Sequence, residues 1–489
     1  MAMAPSQVSA KNPMELRYQR LAQELSTMIA TRILRPGDRL PSVRRLASEK
    51  RLSVSTVVQA LRQLEDDGQI EARPQSGFFV RLPALEQLSP PAALSRRAIH
   101  PVTVDISNRM IGIRALNYQP DMVPLGAALP ANELLPIAQL QKLYRTVSRD
   151  APSLLQVSAH TSLNQQELVR QLVRHSLNWG PPLAPEELVV TNSCTESLAL
   201  CLRAVTQPGD TVAVESPSYY LVLQLLENMG LKALEIPTHP RTGVSVDALE
   251  LATRARRVAA CLLVANFSNP LGCLMPDSEK KRLADLMAAR QIPIIEDDVF
   301  GGLHYGAQRP WPIKSFDTSG NVLLCASTSK TLSPSLRLGY VAAGRFHARV
   351  VVQKALNSGA TNPVTQVVLA RYLASTACDR HLRNLRHTME RQVLRMSDLV
   401  QQTFPPGTRL SQPQGGLVLW VELPDGRDGS RLHELATAAG IAFVPGDMFS
   451  ASGLYRNCLR LNCGNPWSPR IDEAVRTLGR LAASLPKAS

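Results

Sequence analysis

The chain has 489 residues, a formal net charge of +14 and an apolar fraction of 44%, which is typical of a globular protein and not of a disordered one. A single hydrophobic core rarely exceeds about 250–300 residues, so we expect two or more domains. No apolar run approaches the ~20 residues of a membrane-spanning helix, and the first residues form no apolar signal segment. We therefore expect a cytoplasmic protein without a membrane partner.

Positive charge is concentrated near the N-terminus. Residues 1–115 hold 17 Lys and Arg against 10 Asp and Glu, which is half of the net charge in less than a quarter of the chain. Such a segment is either ordinary solvated surface or a surface that faces phosphate groups. The eight cysteines and nine histidines have no spacing typical of a zinc site, so no metal is predicted.

The N-terminal segment has the pattern of three helices followed by a hairpin. An apolar face predicts the first helix over residues 16–33, and Ser42 is placed to cap a short helix that ends at Lys50. Residues 53–67 form another amphipathic pattern, which Gly68 ends. Two short strands are predicted at residues 70–72 and 78–80, with residues 73–77 as the hairpin tip.

This order of elements predicts a winged helix-turn-helix, an α+β fold that binds double-stranded DNA. Its recognition helix enters the major groove by its N-terminus, while arginines contact the backbone and the hairpin approaches the minor groove. The predicted DNA-binding residues are Arg39, Ser42, Arg44, Arg45, Ser53, Ser55, Thr56, Arg73, Ser76 and Gly77. The alternative is a small helical domain that binds protein or nothing.

Three segments within residues 14–82, RPGDRLPSVRRLA, SVSTVVQALRQLEDDG and ARPQSGFFV, resemble the GntR family of bacterial regulators. Val54 and Val58 stand where some members of that family have arginine, so the base contacts of those members do not transfer. Residues 83–115 contain Pro83, Pro90, Pro91 and Pro101 and are predicted to be a semi-rigid linker with room for a short helix.

From about residue 116 onward, apolar strands alternate with amphipathic helices, which predicts an α/β domain with a mainly parallel sheet. Ligands bind at the C-terminal ends of such strands, so the polar residues that follow the strands mark a candidate site. In chain order these residues are Ser193, Cys194, Thr195, Tyr219, Asn269, Asp297, Asp298, Ser327, Ser329, Lys330 and Arg337. A lysine, a carboxylate, an amide, an aromatic ring and a cluster of phosphate-binding groups are together what pyridoxal 5′-phosphate requires.

Residues 116–485 resemble the fold-type I aminotransferases, with a large part at about 116–370 and a small part at about 371–485. The resemblance implies that Lys330 condenses with the cofactor aldehyde and that Asp297, with Asp298 as the weaker candidate, pairs with the pyridine nitrogen. It also implies that Asn269 binds the 3′-oxygen and that Tyr219 stacks on the ring. The implied phosphate ligands are Ser193, Cys194, Thr195, Ser327, Ser329 and Arg337. The segment LRLN implies that Arg460 binds the carboxylate of a substrate or effector.

Three departures from this pattern lie near the candidate site. Phe300 replaces the usual tyrosine, the loop at Asn192 and Ser193 lacks the usual glycine, and residues 161–164 lack a Gly-containing stretch. Cofactor binding is still expected, because the lysine, aspartate, asparagine and arginine are present. Catalytic turnover does not follow from the sequence, and a vestigial or partial aminotransferase chemistry is the main hypothesis.

The whole chain resembles the MocR subfamily of GntR regulators, which implies a bacterial transcription factor and a homodimer. We hypothesise that an amino compound, held by Arg460, displaces Lys330 from the cofactor and thereby changes the placement of the DNA-binding modules. Three alternatives remain: an active aminotransferase acting on an amino acid, a sensor of pyridoxal phosphate itself, and an inert dimerisation scaffold.

Overall fold

A computed structural model describes residues 17–31, 33–34, 36–73, 77–81, 89–92, 100–156, 165–255 and 257–487, with the side chain of Arg73 left out. The chain divides into two compact units, Met1–Ala84 and Leu85–Ser489. In the described ranges, no helix combines the length and the apolar character that crossing a membrane requires.

The first unit is a winged helix-turn-helix, as predicted. Its elements are α1 (Arg17–Ala30), α2 (Val43–Lys50), α3 (Val54–Asp66), β1 (Ile70–Arg73) and β2 (Gly77–Val80). Ser42 caps α2 by accepting the Arg45 N–H at 3.3 Å, and Ser53 caps α3 by accepting the Thr56 N–H at 3.1 Å. Strands β1 and β2 pair antiparallel, and the three helices bury a core that includes Leu21, Leu25, Leu46, Leu61 and Leu64.

The second unit alternates strands and helices, as its hydropathy pattern predicts. Its strands are β3 (Pro101–Thr103), β4 (Val123–Pro124), β5 (Leu188–Thr191), β6 (Thr211–Ser216), β7 (Lys232–His239), β8 (Gly243–Val244), β9 (Ala260–Leu263), β10 (Ile294–Asp297), β11 (Val322–Ser327), β12 (Gly339–Ala342), β13 (Arg409–Leu410), β14 (Val418–Glu422), β15 (Ile441–Ala442), β16 (Val444–Pro445) and β17 (Cys458–Asn462). Its helices are α4 (Ser107–Leu116), α5 (Ile137–Asp150), α6 (Gln166–Ser176), α7 (Cys194–Val205), α8 (Tyr220–Asn228), α9 (Val246–Ala255), α10 (Asp277–Ala289), α11 (His347–Asn357), α12 (Pro363–Leu373), α13 (Thr376–Thr403), α14 (Gly429–Ala438) and α15 (Pro469–Ser484).

The large sheet is mixed, with a parallel centre. Its order in the described part of the chain is β3-β7-β6-β9-β10-β11-β12-β5, and β8 pairs with β7. Strands β7, β6, β9, β10 and β11 run parallel to one another. Strand β3 pairs antiparallel with β7, and β12 pairs antiparallel with both β11 and β5. The C-terminal ends of β6, β9, β10 and β11 therefore lie along one edge, where the site residues follow them.

A second, antiparallel sheet of order β13-β14-β17-β16 forms the small part of this unit, together with α13, α14 and α15. Residues near the start of the unit also belong to this part. Strand β4 pairs with β15, and Val123 and Leu125 pack in the same buried cluster as Val421 and Leu459. The small part therefore contains residues from both ends of the unit, and a single boundary near residue 370 does not separate it from the large part.

Residues 101–115, which the sequence assigned to a linker, form strand β3 and most of helix α4 in the second unit. Strand β3 forms the edge of the large sheet by pairing with β7, and Met110 and Ile113 of α4 are buried in its core. The prediction of a linker as far as residue 115 was wrong for this stretch. A strand of 3 residues and a helix of 10 residues are too short to give a clear periodic pattern in the sequence.

We predict that Leu61→Ala destabilises the first unit by about 2–5 kcal/mol, because the leucine is fully buried and a cavity would replace it. Hydrogen exchange read by mass spectrometry on peptides from residues 17–80 would show faster exchange in this unit. Ile33→Ala is the control, because that side chain is 67% exposed and its loss should change stability by less than about 0.5 kcal/mol. Equal exchange in the two variants would contradict the assigned core.

Candidate functional site

The first unit presents arginines along the surface that the sequence predicted to face DNA. Arg39, Arg44 and Arg45 are all exposed. Arg45 pairs with Glu49 at 2.7 Å, but both side chains are exposed, so the pair is weak and a phosphate can replace the carboxylate. Arg39 lies along the hairpin, where a Cβ built on Gly77 would stand 3.6 Å from its Nε.

The hairpin requires glycine at position 77. Gly77 has a φ of +97°, a conformation that L side chains rarely adopt, and it brings the start of β2 next to Arg39. The side chain of Arg73 and the whole of Ser76 lie outside the described residues, so their predicted contacts with DNA stay predictions.

The hydroxyl groups at the start of α3 bond to one another. The Ser53 Oγ is 2.9 Å from the Ser55 Oγ and 2.7 Å from the Thr56 Oγ1, in addition to the capping bond from the Thr56 N–H. These groups fix the start of the helix. They therefore have less capacity to bind base edges than the sequence alone suggested.

In the second unit, Asp297 ends β10 and is buried against α7. Its Oδ1 accepts hydrogen bonds from the Cys194 thiol at 3.3 Å and from the Val299 N–H at 3.1 Å. Burial raises the pKa of Asp297 to about 6, although both hydrogen bonds act to lower it. A cation beside this carboxylate would lower the pKa again, because an opposite charge favours the charged form.

Asp298 points away from this site. It binds the Arg309 guanidinium and accepts a hydrogen bond from the Asn266 Nδ2 at 3.0 Å. Glu296 lies on the same side of the strand and accepts the N–H groups of Ile313 and Lys314. Because successive side chains of a strand alternate between its faces, Asp297 alone of the three carboxylates turns toward Cys194 and Lys330.

Lys330 follows β11 and has a partly buried side chain. Its Nζ donates a hydrogen bond to the Ala128 carbonyl at 2.6 Å and lies 5.5 Å from the centre of the Phe300 ring. Burial and, to a smaller extent, the charge of Arg460 lower the pKa of Lys330 to about 8, against the opposite influence of Asp297 and Cys194. The amine is therefore easier to deprotonate than an exposed lysine.

Arg460 is fully buried on β17 and joins several parts of the site. Its Nη1 donates to the Asn269 Oδ1 at 3.1 Å, and its Nη2 donates to the Gly126 carbonyl. Its guanidinium lies 5.3 Å from the ring centre of Phe449 and 5.7 Å from that of Tyr220. Its Nε has no hydrogen-bond partner within the described residues, so one buried donor remains for a ligand.

Tyr219 directly precedes α8 and lies beside the same cation. Burial raises the pKa of the Tyr219 hydroxyl well above its ordinary value, while Arg460 acts to lower it. The hydroxyl therefore stays protonated. The ring is packed against Tyr220, with the ring centres 4.6 Å apart.

Three of the predicted phosphate ligands, Ser193, Cys194 and Thr195, lie at the start of α7. Ser193 caps this helix by accepting the Glu196 N–H at 3.1 Å, and the free N–H groups of its first turn attract anions. The strand register aligns Ser327 with Gly339 and Gly339 with Thr191. A Cβ on Gly339 would stand only 2.7 Å from the Ser193 carbonyl carbon, so glycine permits this close approach.

The other predicted phosphate ligands have different positions. Ser329 donates its N–H to the Ser327 Oγ at 3.4 Å, which keeps it beside Ser327. Arg337 has an exposed side chain and a left-handed backbone, with φ of +47°. The Cys194 thiol, expected at the phosphate, binds Asp297 instead, so its backbone N–H is the group left for an anion. Residues 161–164 lie outside the described residues.

Sequence reasoning missed several groups at this site. The carbonyls of Gly126 and Ala128 bind the two cations, and backbone groups carry no residue-type signal. Glu215 at the end of β6 was also missed. It is 2% exposed, accepts the Val264 N–H at 3.2 Å and is near enough to Asp297 for their charges to interact. The segment ESPSYY contained the signal, because an acidic residue at the end of a buried strand is unusual.

Both units match known families. The model of the aminotransferase class I and II family matches residues 165–478, and that of the bacterial regulatory proteins of the gntR family matches residues 17–80. The HTH-type transcriptional regulator YjiR of Escherichia coli is 38% identical over 465 residues, which cover 95% of this chain and 98% of that protein. The chain belongs to the HTH-type transcriptional regulators that join a GntR domain to an aminotransferase class I and II domain.

Solved structures similar to this regulator are aminotransferases. The multiple substrate aminotransferase of Thermococcus profundus superimposes with a TM-score of 0.70 at 26% identity and covers 77% of this chain and 95% of its own. The α-aminoadipate aminotransferase LysN of Thermus thermophilus, solved with N-(5′-phosphopyridoxyl)-L-leucine, has a TM-score of 0.69 at 27% identity, over 76% of this chain and 94% of its own. The predicted fold class, a winged helix-turn-helix joined to a fold-type I aminotransferase-like domain, is confirmed.

The buried carboxyl of Glu215 predicts a pH dependence of stability in this regulator. Burial raises the pKa of Glu215 from 4.5 to about 8. Between these two pH values the folded protein keeps the proton on Glu215, whereas the unfolded chain loses it. The free energy of unfolding of the wild type should therefore fall, relative to Glu215→Gln, as pH rises from about 4.5 to about 8, by about 3–5 kcal/mol.

Denaturant unfolding followed by tryptophan fluorescence at several pH values would measure this difference, because all four tryptophans lie in the second unit. Glutamine keeps an acceptor for the Val264 N–H, and Glu186→Gln on the exposed surface is the control. A constant difference between wild type and Glu215→Gln across this range would contradict the prediction.

Proposed function

We propose that this regulator binds operator DNA through its first unit and that its second unit holds pyridoxal 5′-phosphate as part of a receptor for an amino compound. The observation that carries the proposal is the group formed by the buried Asp297 and Arg460 and the partly buried Lys330. Burying charged groups is costly unless they are paired, and here one donor of Arg460 has no partner among the described residues, while Asp297 binds only a thiol and an N–H. A charged, aromatic ligand with its own anionic group fits this set.

The residues fit pyridoxal phosphate by their chemistry. Bound there, the cofactor supplies an aldehyde that condenses reversibly with amines. Lys330 would provide the protein's amine, and Asp297 would face the pyridine nitrogen. Asn269 would bind the 3′-oxygen, and Tyr219 would stack on one face of the ring. The phosphate would be held by the first turn of α7 with Ser193, Cys194 and Thr195, and by Ser327, Ser329 and Arg337.

Lys330 must lose a proton from its Nζ before it can react as a nucleophile. A pKa of about 8 makes this loss inexpensive near neutral pH. Phe300 packs beside the amine but offers no hydroxyl, so the hydrogen bond that the sequence comparison expected from a tyrosine is missing. Holding the cofactor does not require that bond.

The effector would be bound by Arg460 through a carboxylate. Arg460 donates to the Gly126 carbonyl and Lys330 to the Ala128 carbonyl, and the Asn462 Nδ2 donates to the Leu129 carbonyl at 3.2 Å. A carboxylate that takes the hydrogen bonds of Arg460 releases one end of the 126–129 segment. The effector then favours a state in which this segment is placed differently, which is what a sensor requires.

We also propose a homodimer, as the resemblance to the aminotransferases implies. Two winged helix-turn-helix units would bind two half-sites, and the second binding event would gain from a high effective concentration.

We predict that Lys330→Ala abolishes the covalent attachment of pyridoxal phosphate. The wild type, incubated with the cofactor and reduced with borohydride, should carry a phosphopyridoxyl group on the peptide that contains Lys330. Lys142→Ala, which removes an exposed lysine of α5, should behave like the wild type. An unlabelled wild type, or the same labelling in Lys330→Ala, would refute the cofactor proposal.

We predict that Arg44→Ala weakens DNA binding to a similar degree on all duplexes, because a backbone contact carries no base information. The slope of log affinity against log salt should decrease in magnitude by about one unit, as expected when the protein neutralises one phosphate fewer. Fluorescence anisotropy with labelled duplexes would measure both quantities. Arg149→Ala in the second unit is the control, and an unchanged salt slope in Arg44→Ala would contradict the assignment.

A further inference from the structure

The start of α3 presents an uncharged surface. Residues 54–61, which form its first two turns, contain no charged side chain. Val57, Ala60 and Leu61 are buried in the core of the first unit. The Val54 side chain is instead 52% exposed, and Val58 is partly exposed. A branched apolar side chain that the fold leaves uncovered is available to a partner.

Val54 and Val58 form one continuous apolar patch. Residues four positions apart lie one above the other on a helix, so the two valine side chains are neighbours. The next position on the same line is Arg62, which is exposed. The apolar patch therefore begins with Val54 at the N-terminus of α3 and ends where Arg62 follows, two turns later.

The hydroxyl groups beside this patch are engaged in fixing the helix. Ser53 accepts the Thr56 N–H and is also within hydrogen-bond distance of the hydroxyls of Ser55 and Thr56. The first turn thus has limited capacity for new hydrogen bonds, and the valine side chains have none.

The partner that suits this surface is the major groove of DNA. The first unit holds 13 Lys and Arg against 8 Asp and Glu, and Arg39, Arg44 and Arg45 are exposed around the helix-turn-helix. In a helix-turn-helix, the N-terminal residues of the second helix contact base edges. The apolar group that a base pair presents in the major groove is the C5-methyl group of thymine.

We propose that Val54 and Val58 read thymine methyl groups, so that this regulator selects operator half-sites by apolar contact at these positions. The proposal rests on the proposed binding of DNA by the first unit, and it names the chemistry that this binding recognises. Burial of one methyl group contributes a factor of about four in affinity. If the valines contact two thymine methyl groups in each half-site, the protein would therefore discriminate strongly against half-sites that lack these methyl groups.

The test compares thymine with deoxyuridine, which pairs identically but has no C5-methyl group. Duplexes that the full-length protein enriches from a random-sequence library are synthesised in both forms, and their affinities are measured by fluorescence anisotropy. The wild type should bind the deoxyuridine form about fourfold more weakly for each thymine methyl group that the valines touch. A scrambled duplex should be bound equally in its two forms, which controls for general effects of the missing methyl groups.

The double variant Val54→Ala, Val58→Ala should bind the thymine duplex more weakly and lose most of the difference between the two forms. Alanine favours the helix, and hydrogen exchange of residues 17–80 checks that the unit remains folded. The control Ile33→Ala should keep the full difference.

Equal binding of thymine and deoxyuridine duplexes by the wild type would overturn the inference while leaving DNA binding intact. A difference that persists in the double variant would also overturn it, since other residues would then contact the methyl groups. If no duplex is enriched at all, the proposed DNA binding itself fails, and the inference fails with it.

Discussion

The second unit depends on burying charge at the C-terminal ends of parallel strands. Arg460 is fully buried and Lys330 is partly buried, and each donates a hydrogen bond to a carbonyl of the 126–129 segment. Asp297 accepts hydrogen bonds from a thiol and an N–H, and burial raises its pKa. An arrangement of this kind is costly by itself, because hydrogen bonds to neutral groups replace only part of the lost hydration. It becomes favourable when a ligand brings complementary charge.

The sheet creates this site by its order and register. Parallel strands bring Glu215, Asp297 and the segment before Lys330 to one edge, and the antiparallel pair β11–β12 sets Ser327 opposite Gly339. Gly339 in turn permits the start of α7 to approach closely, which brings the Cys194 thiol to Asp297. Arg460 arrives from the second sheet. The site therefore forms only when both sheets have folded and packed.

Many of the site residues could be predicted from the sequence, because the polar side chains that follow the buried strands occur in a recognisable order. Lys330, Asp297, Asn269 and Tyr219 were identified in this way, and Arg460 was identified from the resemblance of the LRLN segment. The structure brings the five residues together. The choice between Asp297 and Asp298 needed the strand itself, since a shift of one residue exchanges its faces. The roles of the Gly126 and Ala128 carbonyls could not be predicted, because every residue has a carbonyl and only tertiary packing selects which one binds a cation.

The 126–129 segment gives the site a physical means of responding to a ligand. It is bound by Lys330 at Ala128, by Arg460 at Gly126 and by Asn462 at Leu129, while β4 just before it pairs with β15 of the small part. A ligand that engages either cation competes with a carbonyl of this segment. Ligand binding can then change the position of the small part. The coupling free energy cannot exceed the difference in free energy between the hydrogen bonds that the ligand forms and those that it replaces. Because both cations bind the same short segment, a ligand that engages both should shift the equilibrium further than one that engages either alone.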